Sequence, residues 1–273
     1  MKFIHYLENG NRHIGLIKDK KIYRTIYKEL SELFDKDLSK LDLVIEENEI
    51  KELPIIEYPR QDILCLGMNY YAHKNECLAA GFDHDKGAKT VYFSKRCNKA
   101  ITNKDYIDLH LDLTKEPDYE GELGVILSKD ASNLKSDKDV LDKIFGYTII
   151  NDVSARDLQK EHQQFHFGKS LDTFTSISSV VVTKDEFESF PQLDIKTYVN
   201  DDLRQDDNTR NMIFSIPHFM KELTKGMTLL SGTIIATGTP SGIGKASSRF
   251  LKDGDVVRIE IEKIGILENK CRG

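Results

Sequence analysis

Short apolar stretches separated by turn residues run through the whole chain, and they predict a series of short strands. The predicted strands are residues 2–7, 13–18, 21–25, 63–67, 118–127, 146–152, 195–199, 233–236 and 255–262. Helical patterns lie around residues 30–34 and at residues 69–80 and 215–223, and another helix is predicted after residue 152. The expected helix starts are Asn69; Ser154 with Asp157 at capping-box spacing; and Ser215 with Pro217. Gly81 is expected to close the helix that Asn69 starts.

The chain is predicted to contain two domains. Residues 1–57 are expected to form a small N-terminal domain, and residues 58–273 the main domain. The charged segment 46–52, together with Pro54 and Pro59, marks the predicted linker between them. No residue pattern in the N-terminal part indicates chemistry, so a functional site is expected in the second part.

Composition narrows the class of protein. Charged residues make up 31% of the chain and no apolar run approaches the roughly 20 residues that span a bilayer, which predicts a soluble protein without a membrane partner. Residues 1–6 lack the apolar core of a signal peptide, which predicts a cytoplasmic protein. The formal charge of −6, with dispersed lysines, argues against a nucleic-acid partner. The cysteines lack Cys-x-x-Cys spacing and are expected to be free thiols: Cys65, Cys77, Cys97 and Cys271.

Two neighbouring acids on one predicted strand are the leading candidates for chemistry. Glu120 and Glu122 lie two residues apart, so their side chains share a strand face, and Asp152 ends the next predicted strand. Such acid pairs also occur on solvated edge strands, where they discourage aggregation. The apolar residues 123–127 argue against a solvated strand, and buried like charges are costly unless a cation joins them. We therefore predict a metal site at these three acids, whose oxygen ligands favour Mg²⁺ or Mn²⁺.

Two polar pairs at helical spacing are further candidates. His73 and Glu76 share a helix face, an arrangement that suits a general base but also occurs as an ordinary surface pair. Arg156 and Gln159 share a face in the same way, just beyond the second acid-bearing strand. Arg156 either holds a substrate carboxylate or pairs with Asp157 or another acid, and the spacing leaves both interpretations open.

Two other motifs do not support the chemistry that they first indicate. The Gly-Lys-Ser sequence at residues 168–170 lacks the glycine that a phosphate-binding loop needs five residues earlier, where Gln163 stands. His162 and His166 have the spacing of zinc ligands on a helix, but the residue after His162 is not the glutamate of a metalloprotease. A solvated helix face is therefore the expected position of both histidines.

Five blocks of the sequence closely resemble the fumarylacetoacetate hydrolase family, and together they cover most of residues 60–270. They are residues 118–127, 146–159, 168–174, 204–217 and 234–244. The resemblance implies an α+β, mostly β fold, in which a rolled mixed sheet surrounds the metal pocket and a small N-terminal α/β domain is attached. It also implies a homodimer. In type, the chain resembles the family's bacterial acylpyruvate hydrolases and 2-hydroxyhepta-2,4-diene-1,7-dioate isomerases.

The resemblance also implies roles for individual residues. His73 and Glu76 match a catalytic pair on the family's mobile lid, and residues 81–89 are expected to be a flexible surface loop beside it. Lys169 matches a family lysine near the metal, where it would stabilise negative charge on the substrate or orient the attacking water. Gly238 and Thr239 match residues that line the substrate pocket, although a plain tight turn has the same sequence features.

One loop departs from the family pattern. Family members usually carry a lysine and then a proline just after residues 91–95, and this chain has Arg96 followed by Cys97. Substrate contacts from this loop are therefore not carried over to this chain.

The residues and the resemblance together predict a divalent-metal-dependent hydrolase that cleaves a carbon–carbon bond in an acylpyruvate-type substrate, a 2,4-dioxo acid. Three carboxylate ligands leave room on the ion for a 2-keto acid. Water activated by His73 and Glu76 would attack the C4 carbonyl, and Lys169 would stabilise the pyruvate enolate. Oxaloacetate decarboxylation or tautomerisation, and isomerisation of 2-hydroxyhepta-2,4-diene-1,7-dioate, are alternatives that use the same enolate. A non-catalytic family member that binds keto acids is a further alternative.

Overall fold

The computed structural model describes residues 1–45, 48–79 and 89–273. Its strands are β1 (Lys2–Glu8), β2 (Asn11–Lys18), β3 (Lys21–Arg24), β4 (Val44–Ile45), β5 (Lys51–Glu52), β6 (Ile63–Gly67), β7 (Val91–Lys95), β8 (Tyr106–Asp108), β9 (Pro117–Asp118), β10 (Gly121–Leu127), β11 (Ile144–Asp152), β12 (Ser154–Ala155), β13 (Thr175–Ile177), β14 (Val180–Thr183), β15 (Asp194–Val199), β16 (Asp202–Asn208), β17 (Ile234–Ala236), β18 (Val256–Ile261) and β19 (Gly265–Arg272). Its α-helices are α1 (Tyr71–Ala79), α2 (Asp137–Lys143), α3 (Arg156–Glu161), α4 (Phe165–Lys169), α5 (Ile216–Leu223) and α6 (Gly244–Ser247). None of these helices is long and apolar enough to cross a membrane.

Two mixed sheets form the body of the protein. Within the described residues, the larger sheet has twelve strands, ten of them in the order β4-β3-β2-β1-β14-β11-β10-β17-β6-β7, with β5 beside β1 and β13 beside β11. The smaller sheet has five strands in the order β16-β15-β18-β19-β8, and β9 pairs with β12 in a short ribbon. Most neighbours are antiparallel, while β17 with β6 and β19 with β8 are parallel. The expected α+β, mostly β fold is therefore confirmed.

Strands β10 and β11 are buried on both faces at the centre of the larger sheet. Leu123 and Ile149 belong to a core cluster that also contains residues of β15, β18 and β19. Ile126 and Ile150 belong to a second cluster on the opposite face of these strands. Each fully buried side chain of this size contributes about 1.5–3 kcal/mol to folding. An acidic side chain at the end of either strand is therefore enclosed by the core and not by solvent.

The N-terminal residues extend the larger sheet. β1 pairs antiparallel with β14, with Ile4 opposite Val180, and β2 and β3 follow in a meander. Phe3 and Leu30 pack in the same core cluster as Ile150 of β11. The division of the chain into domains at residue 57 stays a prediction.

Some predicted elements are confirmed and others need correction. β6 covers the predicted residues, and α5 follows Ser215 as its N-cap and ends at the predicted Leu223. The predicted capping box at the start of α3 is wrong, because Ser154 lies in β12 and Ala155 is the N-cap. The Asp157 carboxylate instead accepts hydrogen bonds from backbone N–H groups of Lys115 and Leu158.

Asn69 is also not a side-chain cap in the predicted sense. Helix α1 begins two residues later, and the Asn69 amide donates to the carbonyl oxygens of Phe214 and Thr237. It thereby ties the start of α1 to residues far away in the sequence. The predicted helix end at Ala80 and Gly81, the predicted loop over residues 81–88 and residues 46–47 of the predicted linker lie outside the described residues.

Candidate metal centre and active site

Three buried acids meet where β10 and β11 lie side by side. The strands are antiparallel, with Gly121 opposite Asn151, and the Asp152 N–H donates to the Glu120 carbonyl oxygen at 2.9 Å. One carboxylate oxygen from each of Glu120, Glu122 and Asp152 lies within 4.8 Å of the other two. The three side chains are at most 6% exposed. The structure thus brings the three predicted metal ligands together in the core.

A glycine between the two glutamates allows the smaller sheet to pack directly behind them. A Cβ atom on Gly121 would lie 2.3 Å from the Thr197 hydroxyl oxygen in β15. A Cβ atom essentially never lies this close to another heavy atom that is not bonded to it. Any larger residue at this position would therefore push β10 away from β15. Close packing at Gly121 therefore fixes β10 against β15, and this holds Glu120 and Glu122 in place.

Three buried cationic side chains surround the acids. Lys169 Nζ donates to Glu120 Oε2 at 2.5 Å and to Asp152 Oδ2 at 2.6 Å. Lys95 Nζ donates to the other Asp152 oxygen at 2.6 Å. Arg156 Nη1 lies 2.6 Å from Glu120 Oε1. Each of these cations thus fixes the orientation of a predicted metal ligand through a charge-assisted hydrogen bond.

Lys95 is a site residue that the sequence analysis missed. It ends β7, it is 1% exposed, and its ammonium group also donates to the Val153 carbonyl oxygen at 2.9 Å. The signal in the sequence was a lysine that continues an apolar strand, where a solvent-facing charge is not expected. Arg96 and Cys97, which replace the lysine and proline usual in the family, directly follow Lys95 in the sequence.

The acids differ in their electrostatic environment. Burial would raise the pKa of Glu120, but Lys169 and Arg156 outweigh it and lower that pKa to about 2. Burial and the charges of Asp152 and Glu120 raise the pKa of Glu122 well above its usual value. Glu122 accepts one hydrogen bond from the Gly238 N–H at 2.7 Å, and no described side chain forms an ion pair with it. Glu122 is therefore the acid that most needs a further cation.

The donor set fits a hard divalent cation. With Asp118, the buried acids number four, and they outnumber the three cations by one formal charge. Every donor atom of the three predicted ligands is a carboxylate oxygen, which is the ligand type that Mg²⁺ and Mn²⁺ prefer. A divalent ion would reverse the excess of negative charge and leave the site able to accept an anionic substrate.

His73 and Glu76 form the predicted pair on α1. His73 Nδ1 lies 3.1 Å from Glu76 Oε2, and the other Glu76 oxygen accepts the Gly242 N–H at 2.9 Å. A carboxylate beside Nδ1 favours the tautomer with the proton on that atom, so that Nε2 is the basic nitrogen. Glu76 therefore orients the imidazole and is itself held by the backbone of another segment.

Arg156 pairs with acids other than the neighbouring one considered from the sequence. Its Nε donates to Asp118 at 2.8 Å and its Nη1 lies beside Glu120, whereas Asp157 bonds elsewhere. Its Nη2 is buried and has no hydrogen-bond partner among the described residues. Buried guanidinium N–H groups are costly when unpaired. Nη2 is thus available to a ligand carboxylate, and the two interpretations of Arg156 are compatible.

One pocket connects these elements. The predicted site residues in its wall are His73, Glu76, Glu120, Arg156, Gln159, Lys169 and Thr239. Phe93, Phe165 and Ile243 form an apolar part of the wall, where the two phenylalanine rings meet edge to face at 5.2 Å. Gly238, which was also expected to line the pocket, is not among these wall residues, and its N–H donates to Glu122. The pocket therefore has a charged end beside the carboxylates and an apolar flank.

The two histidines with zinc-ligand spacing do not share a helix. α3 ends at Glu161, α4 begins at Phe165, and Gln163 between them has a left-handed φ of 54°. His166 Nδ1 lies 3.2 Å from the Ser94 carbonyl oxygen. Both histidines are exposed, as expected, but they do not share one helix face, because the turn at Gln163 separates them.

Comparison with known proteins places the chain in a family. The family model described as fumarylacetoacetate (FAA) hydrolase C-terminal matches residues 62–272. The oxaloacetate tautomerase YisK of Bacillus subtilis is 42% identical over 225 residues, which cover 82% of this chain and 73% of that protein.

Solved structures agree with this match. A fumarylacetoacetate hydrolase from Exiguobacterium antarcticum superposes with a TM-score of 0.87 at 35% identity, over 100% of this chain and 99% of that one. The 2-hydroxyhepta-2,4-diene-1,7-dioate isomerase of Mycobacterium marinum superposes with a TM-score of 0.77 at 25% identity, over 100% and 98% of the two chains. The chain therefore belongs to the fumarylacetoacetate hydrolase family.

Proposed function

We propose that this protein is a divalent-metal-dependent enzyme that interconverts the keto and enol forms of oxaloacetate. The observation that carries this proposal is one pocket whose wall contains the His73–Glu76 pair together with Glu120 and Lys169 of the carboxylate cluster. A base and a concentration of positive charge are the two requirements of enolisation next to a carbonyl group. The 42% identity to an oxaloacetate tautomerase supports the choice of substrate.

The residues have separate tasks in this reaction. His73 Nε2 removes a proton from C3, the C–H electron pair forms the C2=C3 π bond, and the carbonyl π pair moves onto the C2 oxygen, which then takes the proton back from the His73 imidazolium. The Lys169 ammonium group stabilises that charge, and Arg156 Nη2 holds a substrate carboxylate. A Mg²⁺ or Mn²⁺ ion held by Glu120, Glu122 and Asp152 would supply Lewis-acid polarisation of the keto oxygen.

An absorbance assay of the enol tests the proposal. The purified protein is added to freshly dissolved enol oxaloacetate with Mn²⁺, and the rate of enol loss is compared with that of Mn²⁺ alone and of protein in excess EDTA. We expect acceleration that requires both the protein and the ion. Binding of oxalate without any acceleration would instead support the non-catalytic alternative.

Hydrolysis of an acylpyruvate is the second candidate. It is favoured by the hydrogen bond from the Gly242 N–H to Glu76, which holds this carboxylate beside His73. A histidine oriented in this way can act as the base that activates water. In this reaction water adds to the C4 carbonyl, the C3–C4 bond breaks, and a carboxylic acid and pyruvate are released. Formation of pyruvate from acetylpyruvate, measured with lactate dehydrogenase, distinguishes it from tautomerisation, which releases no pyruvate.

The native ion, the assembly and the location are part of the same proposal. Mg²⁺ or Mn²⁺ follows from the oxygen donors, and a cytoplasmic homodimer follows from the resemblance to the family and the composition. Size-exclusion chromatography with light scattering would test the dimer.

A further inference from the structure

A turn after β17 donates backbone hydrogen bonds to three acids of the site that form no hydrogen bond with Lys95 or Lys169: Glu76, Asp118 and Glu122. We name residues 237–245 the pocket turn. Its backbone N–H groups donate to three carboxylates: Gly238 to Glu122 at 2.7 Å, Gly242 to Glu76 at 2.9 Å, and Gly244 and Lys245 to Asp118 at 2.7 and 3.0 Å. Glu122 is a predicted metal ligand, Glu76 is the partner of His73, and Asp118 is the partner of Arg156. The position of the pocket turn therefore sets the geometry of three parts of the pocket at once.

Gln205 of β16 binds the pocket turn from behind. Its side chain is 0% exposed, its Oε1 accepts the Gly121 N–H at 3.1 Å, and its Nε2 donates to Thr239 Oγ1 and to the Pro240 carbonyl oxygen, both at 2.8 Å. The Thr239 hydroxyl in turn donates to the Gly121 carbonyl oxygen at 2.9 Å. The Gln205 amide thus joins β10 to the pocket turn, with one hydrogen bond to Gly121 and two to the turn.

The backbone of the pocket turn packs against the backbone of β16 at Arg204, the residue before Gln205. Gly242 has a left-handed φ of 100°, and a Cβ atom there would lie 1.8 Å from the Arg204 carbonyl oxygen. Only glycine fits such an approach of two backbones. The pocket turn therefore rests on the backbone of β16 at one point, and the Gln205 side chain fixes it at the neighbouring point.

We infer that Gln205 is a positioning residue of the active site. It holds the pocket turn against β10, so that the N–H groups of Gly238 and Gly242 fix Glu122 and Glu76. It does not itself line the pocket, so it acts on substrate through these two carboxylates and through Thr239, which does line it. The inference rests on the proposed function for its catalytic consequence, but the structural link from Gln205 to the pocket turn does not.

The test is the variant Gln205→Met, which keeps the length of the side chain and removes its three hydrogen bonds. We expect faster hydrogen exchange in the peptide that covers residues 237–245 of the metal-free protein, measured by mass spectrometry, because its N–H bonds open more often. We also expect the Kd for Mn²⁺ to rise and kcat to fall, each by about 10–100-fold, as for other residues that orient metal ligands.

Asn269→Leu is the matched control. Asn269 is also buried in the smaller sheet, where its side chain makes three hydrogen bonds, with the Thr102 and Asp105 carbonyl oxygens and with the Ser176 hydroxyl. Among the described residues, these hydrogen bonds of Asn269 do not reach the pocket turn. This variant should lose stability but keep wild-type exchange at residues 237–245, wild-type Mn²⁺ affinity and wild-type kcat.

Two outcomes overturn the inference: unchanged exchange at residues 237–245 in Gln205→Met, or faster exchange with unchanged Mn²⁺ affinity and kcat. If Gln205→Met does not fold, Gln205→Glu serves, because it keeps the acceptor for Gly121 and loses the amide donors to Thr239 and Pro240. Absence of oxaloacetate turnover in the wild-type protein would refute only the proposed function, because the exchange and Mn²⁺ measurements do not depend on the reaction.

Discussion

The ammonium group of Lys95 lies 2.6 Å from Oδ1 of Asp152, and both side chains are buried in the core. Lys169 holds the other oxygen of the same carboxylate at 2.6 Å. Each oxygen of Asp152 therefore contacts a lysine even without a metal ion, whereas the hydrogen bond to Glu122 comes from the backbone N–H of Gly238. This asymmetry separates the acids by role, with Asp152 fixed in advance and Glu122 dependent on the ion.

Lys95→Met should destabilise the metal-free protein by about 3 kcal/mol, because it leaves part of a buried carboxylate uncompensated. Saturating Mn²⁺ should restore a part of this loss, since the ion replaces the missing positive charge next to Asp152. Urea unfolding with EDTA and with Mn²⁺ measures both free energies.

The control for Lys95 is an exposed pair. Lys196 and Asp206 lie 3.9 Å apart on the surface of the smaller sheet, so Lys196→Met should change the free energy of unfolding by less than about 1 kcal/mol. An equal loss for Lys95→Met in EDTA and in Mn²⁺ would show that Lys95 supports packing alone.

The acids of the site could be predicted from the sequence because they obey local rules. The strand period places Glu120 and Glu122 on one side, and Asp152 ends the partner strand. Lys95 and Gln205 follow no such rule, because Lys95 contacts Asp152, 57 residues away, and Gln205 contacts residues 34 to 84 positions away. Long-range packing decides which groups these side chains contact, and the position of Lys95 at the end of an apolar segment indicates its burial but not its partners.

The fold shows the same division. Apolar strands such as β6 and β11 were predicted within a few residues, because burial on both faces requires continuous apolar side chains. β16 was missed, because Asp202–Asn208 is almost entirely polar and is a strand only through its pairing with β15. Ser154 failed as a helix cap for a similar reason, since its backbone pairs with Asp118 in the short ribbon.

His73→Asn should lower kcat for oxaloacetate tautomerisation by about 10²–10⁴-fold, the usual contribution of a general base. The Kd for Mn²⁺ should stay unchanged, because His73 is not one of the predicted ligands. Steady-state kinetics and Mn²⁺ titration by calorimetry measure the two effects. His218→Asn, at an exposed histidine on α5, is the control and should retain wild-type kcat. Loss of Mn²⁺ binding in His73→Asn would contradict a role confined to proton transfer.

The thiols of Cys65 and Cys271 should resist alkylation in the folded protein. Burial raises the pKa of Cys65 well above its usual value, and burial with Asp255 and Asp253 raises the pKa of Cys271 to about 12. A raised pKa lowers the thiolate fraction at pH 8, so the reaction with iodoacetamide should be slow and should speed up as the pH rises. Mass spectrometry of the two peptides, with guanidinium-unfolded protein as the control, measures it. Rapid labelling of either thiol at pH 8 in the folded protein would show that its strand is more open than described.

Glu122→Gln should abolish Mn²⁺ binding and yet stabilise the metal-free protein at pH 8. Burial and the charges of Asp152 and Glu120 raise the pKa of Glu122, so ionisation of this acid opposes folding above the unfolded pKa of about 4.3. The stability of the wild type should therefore fall relative to the variant as the pH rises from that value, and the two should converge below it.

Thermal unfolding in EDTA across this pH range tests the stability, and calorimetry tests the Mn²⁺ binding. Glu260→Gln, at a half-buried acid on β18 away from the pocket, is the control and should leave Mn²⁺ binding intact. A lower melting temperature for Glu122→Gln than for the wild type in EDTA at pH 8 would mean that the lysine and arginine charges already compensate Glu122. In that case the need for a cation at Glu122, from which the metal site was argued, would disappear, because an acid that is stable in its ionised form gains less from an added ion.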